Sequence, residues 1–190
     1  MRVNVANILT FSRLLLVPVF VYCFVVDMKM WAFIIFCVAS FTDLIDGTVA
    51  RVLGQHSKIG ALLDPMADKA LMQGCFIPLL IAGFLPWWFF VLALTRDLMI
   101  VGGIIYLENK KAELPYRAIW PSKLATLFQM TVAGFALLRW WLVMDPSMQS
   151  QLFFWQMSFM ILSSVFIVMS GYQYVQMGLY LLRKGRVANA

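Results

Sequence analysis

Of the nine acidic residues in this 190-residue chain, five (Asp43, Asp46, Asp64, Asp68 and Asp97) fall inside or at the ends of otherwise apolar stretches. A carboxylate in such surroundings is strongly unfavourable unless it is paired, hydrated or bound to a metal. Four of the five lie between positions 43 and 68. On a helix, Asp43, Asp46, Gly47 and Ala50 stand at i, i+3, i+4 and i+7 and share one face. Gly60, Asp64 and Asp68 stand at i, i+4 and i+8 and share another. Each face combines carboxylates with residues small enough to let a ligand approach the backbone. An acidic pair alone is an ordinary cap or helix contact, and Gly47, Ala50 and Gly60 alone are ordinary packing residues. Four carboxylates on two consecutive helices point instead to a shared site. Such a cluster repels itself and takes up protons unless something offsets its charge. One divalent cation, or two, does so. An all-oxygen donor set suits Mg²⁺ or Mn²⁺, with two ions as the expected count, and these ions favour diphosphate ligands. Arg51 and Lys58, between the two strips, complement phosphate charge. The chemistry implied is a metal-assisted reaction on a diphosphate.

The elements that must position these residues follow from composition. The chain is 63% hydrophobic and only 13% charged, whereas a soluble domain carries about 25% charged residues. The expected fold class is an all-α polytopic membrane protein. Apolar runs predict six transmembrane helices at 11–26, 30–52, 61–84, 86–107, 122–143 and 151–182, the last long enough to extend beyond a bilayer. Residues 1–10 predict a short interfacial helix. Arg2, Arg13 and the apolar run after them imitate a signal peptide, but no small-residue cleavage site follows, so the run is expected to be retained. With a cytoplasmic N-terminus, Arg2, Arg13, Arg51, Lys58, Lys110, Lys111, Arg117, Lys123, Arg183, Lys184 and Arg186 all fall inside, against Lys29 and Arg139 outside. That asymmetry places both termini in the cytoplasm. The short loop makes the second and third helices antiparallel neighbours, with their acidic faces meeting near the cytoplasmic end. The net charge of +6 is then a juxtamembrane feature suited to anionic headgroups, and no nucleic-acid partner is expected. Cys23, Cys37 and Cys75 lie apart in apolar segments and read as small buried hydrophobes. Neither an internal repeat nor a linker is visible, so residues 1–190 are expected to form one domain.

Asp43-Leu44-Ile45-Asp46-Gly47-Thr48-Val49-Ala50-Arg51, followed after eight residues by Gly60, Asp64 and Asp68, resembles the signature D-x2-D-G-x2-A-R-x8-G-x3-D-x3-D of the CDP-alcohol phosphatidyltransferase family. All eight fixed positions match. The resemblance implies an enzyme that moves a phosphatidyl group from CDP-diacylglycerol to an alcohol and releases CMP. It implies Asp43, Asp46, Asp64 and Asp68 as metal ligands, with Asp68 also the catalytic base. Asp43, Gly47, Ala50, Arg51 and Gly60 become the CDP-binding residues. It further implies a bacterial inner-membrane location, an active site facing the cytoplasm, and a homodimer.

The acceptor is read from weaker likenesses. Asn7-Ile8-Leu9-Thr10-Phe11-Ser12-Arg13 is similar to the P-N-x-L-T-x-x-R start of the phosphatidylglycerophosphate synthase and eukaryotic-type cardiolipin synthase branches, with Ala6 in place of the proline. Lys123, Thr126 and Gln129 resemble their K-x-x-T-x-x-Q stretch. Arg96-Asp97 is similar to the pair in cardiolipin synthases. Ile104 stands where glycerophosphate-using relatives carry another arginine. The expected acceptor is therefore phosphatidylglycerol, the alternative being glycerol 3-phosphate, with Lys58, Arg96, Asp97 and Lys123 as candidate acceptor or lipid contacts. Arg96 and Asp97 equally suit a local ion-pair network that stabilises the fourth helix. Two rivals use buried carboxylates. A membrane prenyltransferase generally has more spans and two Asp-rich loops. A cation-coupled transporter generally has pseudo-symmetric halves.

Overall fold

The computed structural model describes residues 5–53, 69, 72–109, 120–142 and 145–188, and the regular structure among them is helical throughout. The helices are α1 (Val5–Val25), α2 (Lys29–Leu53), α3 (Met72–Ile81), α4 (Trp87–Asn109), α5 (Trp120–Trp141) and α6 (Pro146–Ala188). The all-α expectation holds. Residues 5–10 differ from it in detail, because they are the first turns of α1 rather than a separate element. No Gly or Pro interrupts the chain between Val5 and Pro18, so nothing stops a helix begun at Val5. Likewise α6 starts before 151 and ends beyond 182.

Local chemistry explains the helix ends. After α1, Asp27 adopts φ 59°, while Met28 N–H donates to Cys23 C=O (2.8 Å) and Asp27 N–H to Phe24 C=O (3.3 Å). This is a Schellman cap with aspartate in the left-handed position, one of the few side chains that tolerates it. Gly83, at φ 77°, repeats the arrangement after α3. There Phe84 N–H donates to Leu79 C=O (2.9 Å) and Gly83 N–H to Leu80 C=O (3.0 Å). That cap ends the helix at Ile81, short of the expected 84. At the start of α6, Asp145 C=O accepts from Met148 and Gln149 N–H (3.0 and 3.1 Å), and Pro146 occupies the first turn, where a missing N–H costs nothing.

The chain divides into two compact units, Met1–Leu85 with Ala133–Gln156, and Pro86–Val132 with Met157–Ala190, so that the division falls within α5 and α6. In the first unit α1 packs against α2, and the core comprises Phe20, Ala32, Phe36, Ala39, Cys75, Phe76, Leu79 and Leu137. A Cβ added to Gly74 would run into Val17 Cγ1, so glycine sets how closely α3 approaches α1. Phe24 stacks on Trp140 at 4.2 Å and Phe33 on Trp141 at 5.3 Å between ring centroids. Arg139 donates to Gln156 Oε1 (2.6 Å), and the fully buried Gln156 donates to the Phe84 carbonyl (2.7 Å). The second unit is built on Phe89, Ala93, Ala125, Val132, Met160 and Ile167.

Large apolar side chains also cover the outside of both units. Tyr22, Val25, Phe41 and Ile81 are exposed in the first, and Leu98, Ile161, Val168 and Tyr172 in the second. Among the described residues, one helix, Pro146–Leu181, is long and apolar enough to cross a bilayer; Leu14–Val25, Lys29–Thr42 and Met72–Ile81 are shorter apolar helices.

Candidate active site

The acidic strip of the second predicted span lies on α2. Positions 43, 46, 47, 50 and 51 are all helical, and no break occurs between Lys29 and Leu53. The i, i+3, i+4, i+7 relation of Asp43, Asp46, Gly47 and Ala50 therefore holds on a continuous backbone. Lys58, Gly60, Asp64 and Asp68 lie outside the described residues. Among the described residues no three His, Cys, Asp or Glu side chains gather as a metal site; the side chains of Asp43 and Asp46 are not among those described.

Arg96, Asp97 and Lys123 all belong to the second unit. Arg96 and Asp97 on α4 are 6% and 7% exposed, a degree of burial that a charge accepts only when paired. Residues i and i+1 on a helix do not normally face each other, yet Arg96 Nη1 donates to Asp97 Oδ1 at 2.8 Å. The other two guanidinium nitrogens reach neighbouring helices. Nε donates to Ser170 Oγ on α6 (3.3 Å). Nη2 donates to the Ser122 carbonyl on α5 (3.2 Å) and to Ser122 Oγ. Ser170 in turn donates to the Ile167 carbonyl (3.0 Å), and Thr126 to the Ser122 carbonyl (3.1 Å). One guanidinium thus fastens α4, α5 and α6. Lys123 takes no part in these bonds. Its ammonium lies 5.9 Å from the Trp120 ring centroid, an exposed cation–π contact.

Ser170 has no counterpart in the sequence reading. A serine followed by Gly171 in a long apolar helix looks like a packing residue; its one distinguishing signal is that a buried arginine elsewhere needs acceptors. The Arg139–Gln156–Phe84 connection was equally invisible. On the sequence Arg139 is only an outside charge, and nothing singles out Gln156.

Comparison with known proteins then adds an independent line. The model of the family described as CDP-alcohol phosphatidyltransferase matches residues 3–178. A probable phosphatidylglycerophosphate synthase of Mycobacterium tuberculosis is 39% identical over 140 residues, covering 69% of this chain and 64% of that protein. The CDP-diacylglycerol–glycerol-3-phosphate 3-phosphatidyltransferase of Escherichia coli K12 is 36% identical over 148 residues, covering 73% of this chain and 79% of that protein. A putative cardiolipin synthase of Mycobacterium tuberculosis is 39% identical over 108 residues, covering 56% of this chain and 52% of that protein. The chain thus spans less than two thirds of the length of both mycobacterial relatives.

Proposed function

Because the chain belongs to the CDP-alcohol phosphatidyltransferase family, we propose that it transfers a phosphatidyl group from CDP-diacylglycerol to an alcohol and releases CMP. Helix register is the observation that carries the site. On α2 the buried positions Ala32, Phe36 and Ala39 are 0%, 5% and 0% exposed, and the same four-three spacing continued along that helix reaches 43, 46 and 50. On α3 Met72, Cys75, Phe76 and Leu79 are buried, and the four-three spacing of 79, 75 and 72 continued backwards along the sequence reaches 68, then 65 and 61, next to Asp64 and Gly60. The α2 strip therefore continues the face that this helix turns into the first unit, and position 68 falls by count in register with the buried positions of α3, which supports convergence of the carboxylates on one cavity.

An all-carboxylate donor set flanked by Gly47, Ala50 and Gly60 fits a hard divalent cation and a diphosphate, and the family is divalent-metal dependent. Asp43, Asp46, Asp64 and Asp68 are the residues to hold Mg²⁺ or Mn²⁺, as two ions, which when bound supply Lewis-acid polarisation and neutralise the leaving CMP. The chain's own residues do the rest. Arg51 and Lys58 contact phosphate oxygens. Asp68 accepts the proton of the acceptor hydroxyl. That oxygen bonds to the phosphorus bearing the diacylglycerol, the bond from this phosphorus to the bridging oxygen breaks, and the bridging oxygen leaves with CMP.

The apolar exterior of both units supports a membrane protein with six spans. The basic-residue asymmetry supports an active site and both termini on the cytoplasmic side of a bacterial inner membrane. The family match across both units supports a single catalytic domain, and the functional form is a homodimer. We take phosphatidylglycerol as the acceptor, because Ile104 occupies the place of a further cation for a phosphate monoester. The relatives favour a second reading, glycerol 3-phosphate, since the two that align over more than two thirds of this chain carry names of that activity.

The test is CMP release by the purified chain from CDP-diacylglycerol with Mg²⁺ or Mn²⁺, each acceptor offered separately. Cardiolipin formed with phosphatidylglycerol supports the first reading, and phosphatidylglycerophosphate formed with glycerol 3-phosphate the second. No CMP with either acceptor contradicts the transferase, and unchanged turnover in EDTA contradicts the metal.

A further inference from the structure

Arg96 and Arg139 both lie in apolar helices, but only the first has a counter-charge. Arg96 meets Asp97 at 2.8 Å. Arg139, in the last turn of α5, has no carboxylate partner among the described residues. Asp145, the next acid along the chain, is exposed and accepts from Ser147 Oγ (2.9 Å). Arg139 Nη1 donates to Gln156 Oε1 (2.6 Å), an uncharged acceptor that leaves the cation unbalanced. Its Nε–H is shielded from solvent and has no acceptor. The group is nevertheless held in place. Gln149 fixes the end of α5 by donating to the Arg139 and Leu142 carbonyls (3.2 and 2.6 Å). The fully buried Gln156 is itself tied to the Phe84 carbonyl (2.7 Å). The rings of Phe84 and Phe153 lie 5.8 and 4.8 Å from the guanidinium carbon. A guanidinium that is fixed, weakly hydrated and short of a counter-charge suits a phosphate.

Its place in the first unit says where that phosphate comes from. Lys29 begins α2 and lies over the Trp140 ring at 5.5 Å, so the end of α5 meets the start of α2. Asp43 is fourteen residues further along α2, about 21 Å away along the helix axis. Arg139 is therefore remote from the acidic strip. Trp31, Trp140, Trp141 and Trp155 belong to these same helix ends, and tryptophan marks the level where hydrocarbon gives way to headgroups. Phe153 and Trp155 are 44% and 51% exposed, apolar surface beside the cation that acyl chains cover and a free phosphate ion does not. We propose that Arg139 binds the phosphate of a phospholipid in the leaflet away from the acidic strip, the exposed Phe153 ring swinging aside to admit it. This site is independent of the chemistry proposed for α2.

The experiment is native mass spectrometry of the purified full-length chain in a non-ionic detergent, titrated with phosphatidylserine, which is neither donor nor acceptor in the proposed transfer. Wild type is compared with Arg139→Gln, Arg139→Lys and Phe153→Glu. The dissociation constant of the first lipid bound is expected to rise about tenfold in R139Q and to stay within about threefold of wild type in R139K, which keeps the cation. F153E leaves Arg139 and its bond to Gln156 in place but supplies the counter-charge from the chain. It should weaken lipid binding as much as R139Q does, and it carries the test should R139Q not fold. Wild-type affinity in R139Q or in F153E overturns the proposal, as does equal loss in R139Q and R139K, which marks packing rather than charge. Release of the bound lipid by excess inorganic phosphate overturns it too, since the site then belongs to the free ion.

Discussion

In the second unit the guanidinium of Arg96 finds Asp97, Ser122 and Ser170 within the fold itself. The strip of α2 that carries Asp43 and Asp46 differs in sequence, since the basic residues of that helix are Lys29 at its start and Arg51 near its end. The first arrangement is closed. Its charges are balanced by chain atoms, and its effect is to tie three helices together. In the second, positions 43 and 46 share a helix face with the small residues at 47 and 50, and the proposed site draws its balance from bound cations. The buried charge of Arg96 carries its partner within the fold, whereas the proposed site at Asp43 and Asp46 would leave that place to cation and substrate.

Substitutions can break this contrast at either end. The largest effect is expected at Asp68. D68N removes the group that takes the acceptor's proton and should lower turnover by about 10²–10⁴-fold, measured as CMP release, while CDP-diacylglycerol binding is largely kept. Binding lost to the same degree as in D43A would place Asp68 among the substrate ligands only. Next comes Arg96. R96Q breaks the ion pair with Asp97 and unfastens α5 and α6, at a cost of about 3–5 kcal/mol, to be read as lower resistance to denaturation in detergent. A stability unchanged by R96Q would mean that the guanidinium is held for a substrate rather than for the fold. Gly74→Ala drives a methyl into Val17 and should cost about 1–3 kcal/mol. Its instability should be equal with and without metal, because neither Gly74 nor Val17 offers a metal ligand. The smallest effect has the opposite sign. In EDTA, D43N relieves repulsion within the strip and should stabilise the protein by about 0.5–2 kcal/mol, and added Mn²⁺ should reverse the order of D43N and wild type. A destabilised D43N in EDTA would show that Asp43 is already paired by the chain, as Asp97 is.

Much of this was legible in the residues. The helices of α2, α4 and α5 begin and end within about two residues of their apolar runs, a margin set by fraying, and the period of the acidic residues stated the face they share. Single-residue geometry was less legible. Nothing in residues 1–10 separates an interfacial turn from the first turns of α1, because Asn7 and Thr10 are polar without being helix breakers. The end of α3 depends on Gly83 taking a positive φ, a choice settled by the cap hydrogen bonds. Arg96 admitted two readings, acceptor contact or ion-pair network, and only the serines on α5 and α6 reveal its network. Those serines are separated from it by 26 and 74 residues, a distance over which sequence spacing carries no information.

The central claim is that Asp43 and Asp46 on α2 and the carboxylates of Asp64 and Asp68 meet at common cations. Crystals soaked in Mn²⁺ and measured across the manganese absorption edge test it directly. The account predicts anomalous peaks about 2.0–2.6 Å from carboxylate oxygens of Asp43, Asp46, Asp64 and Asp68. Peaks elsewhere in the chain, with these four side chains directed away from one another, would contradict it.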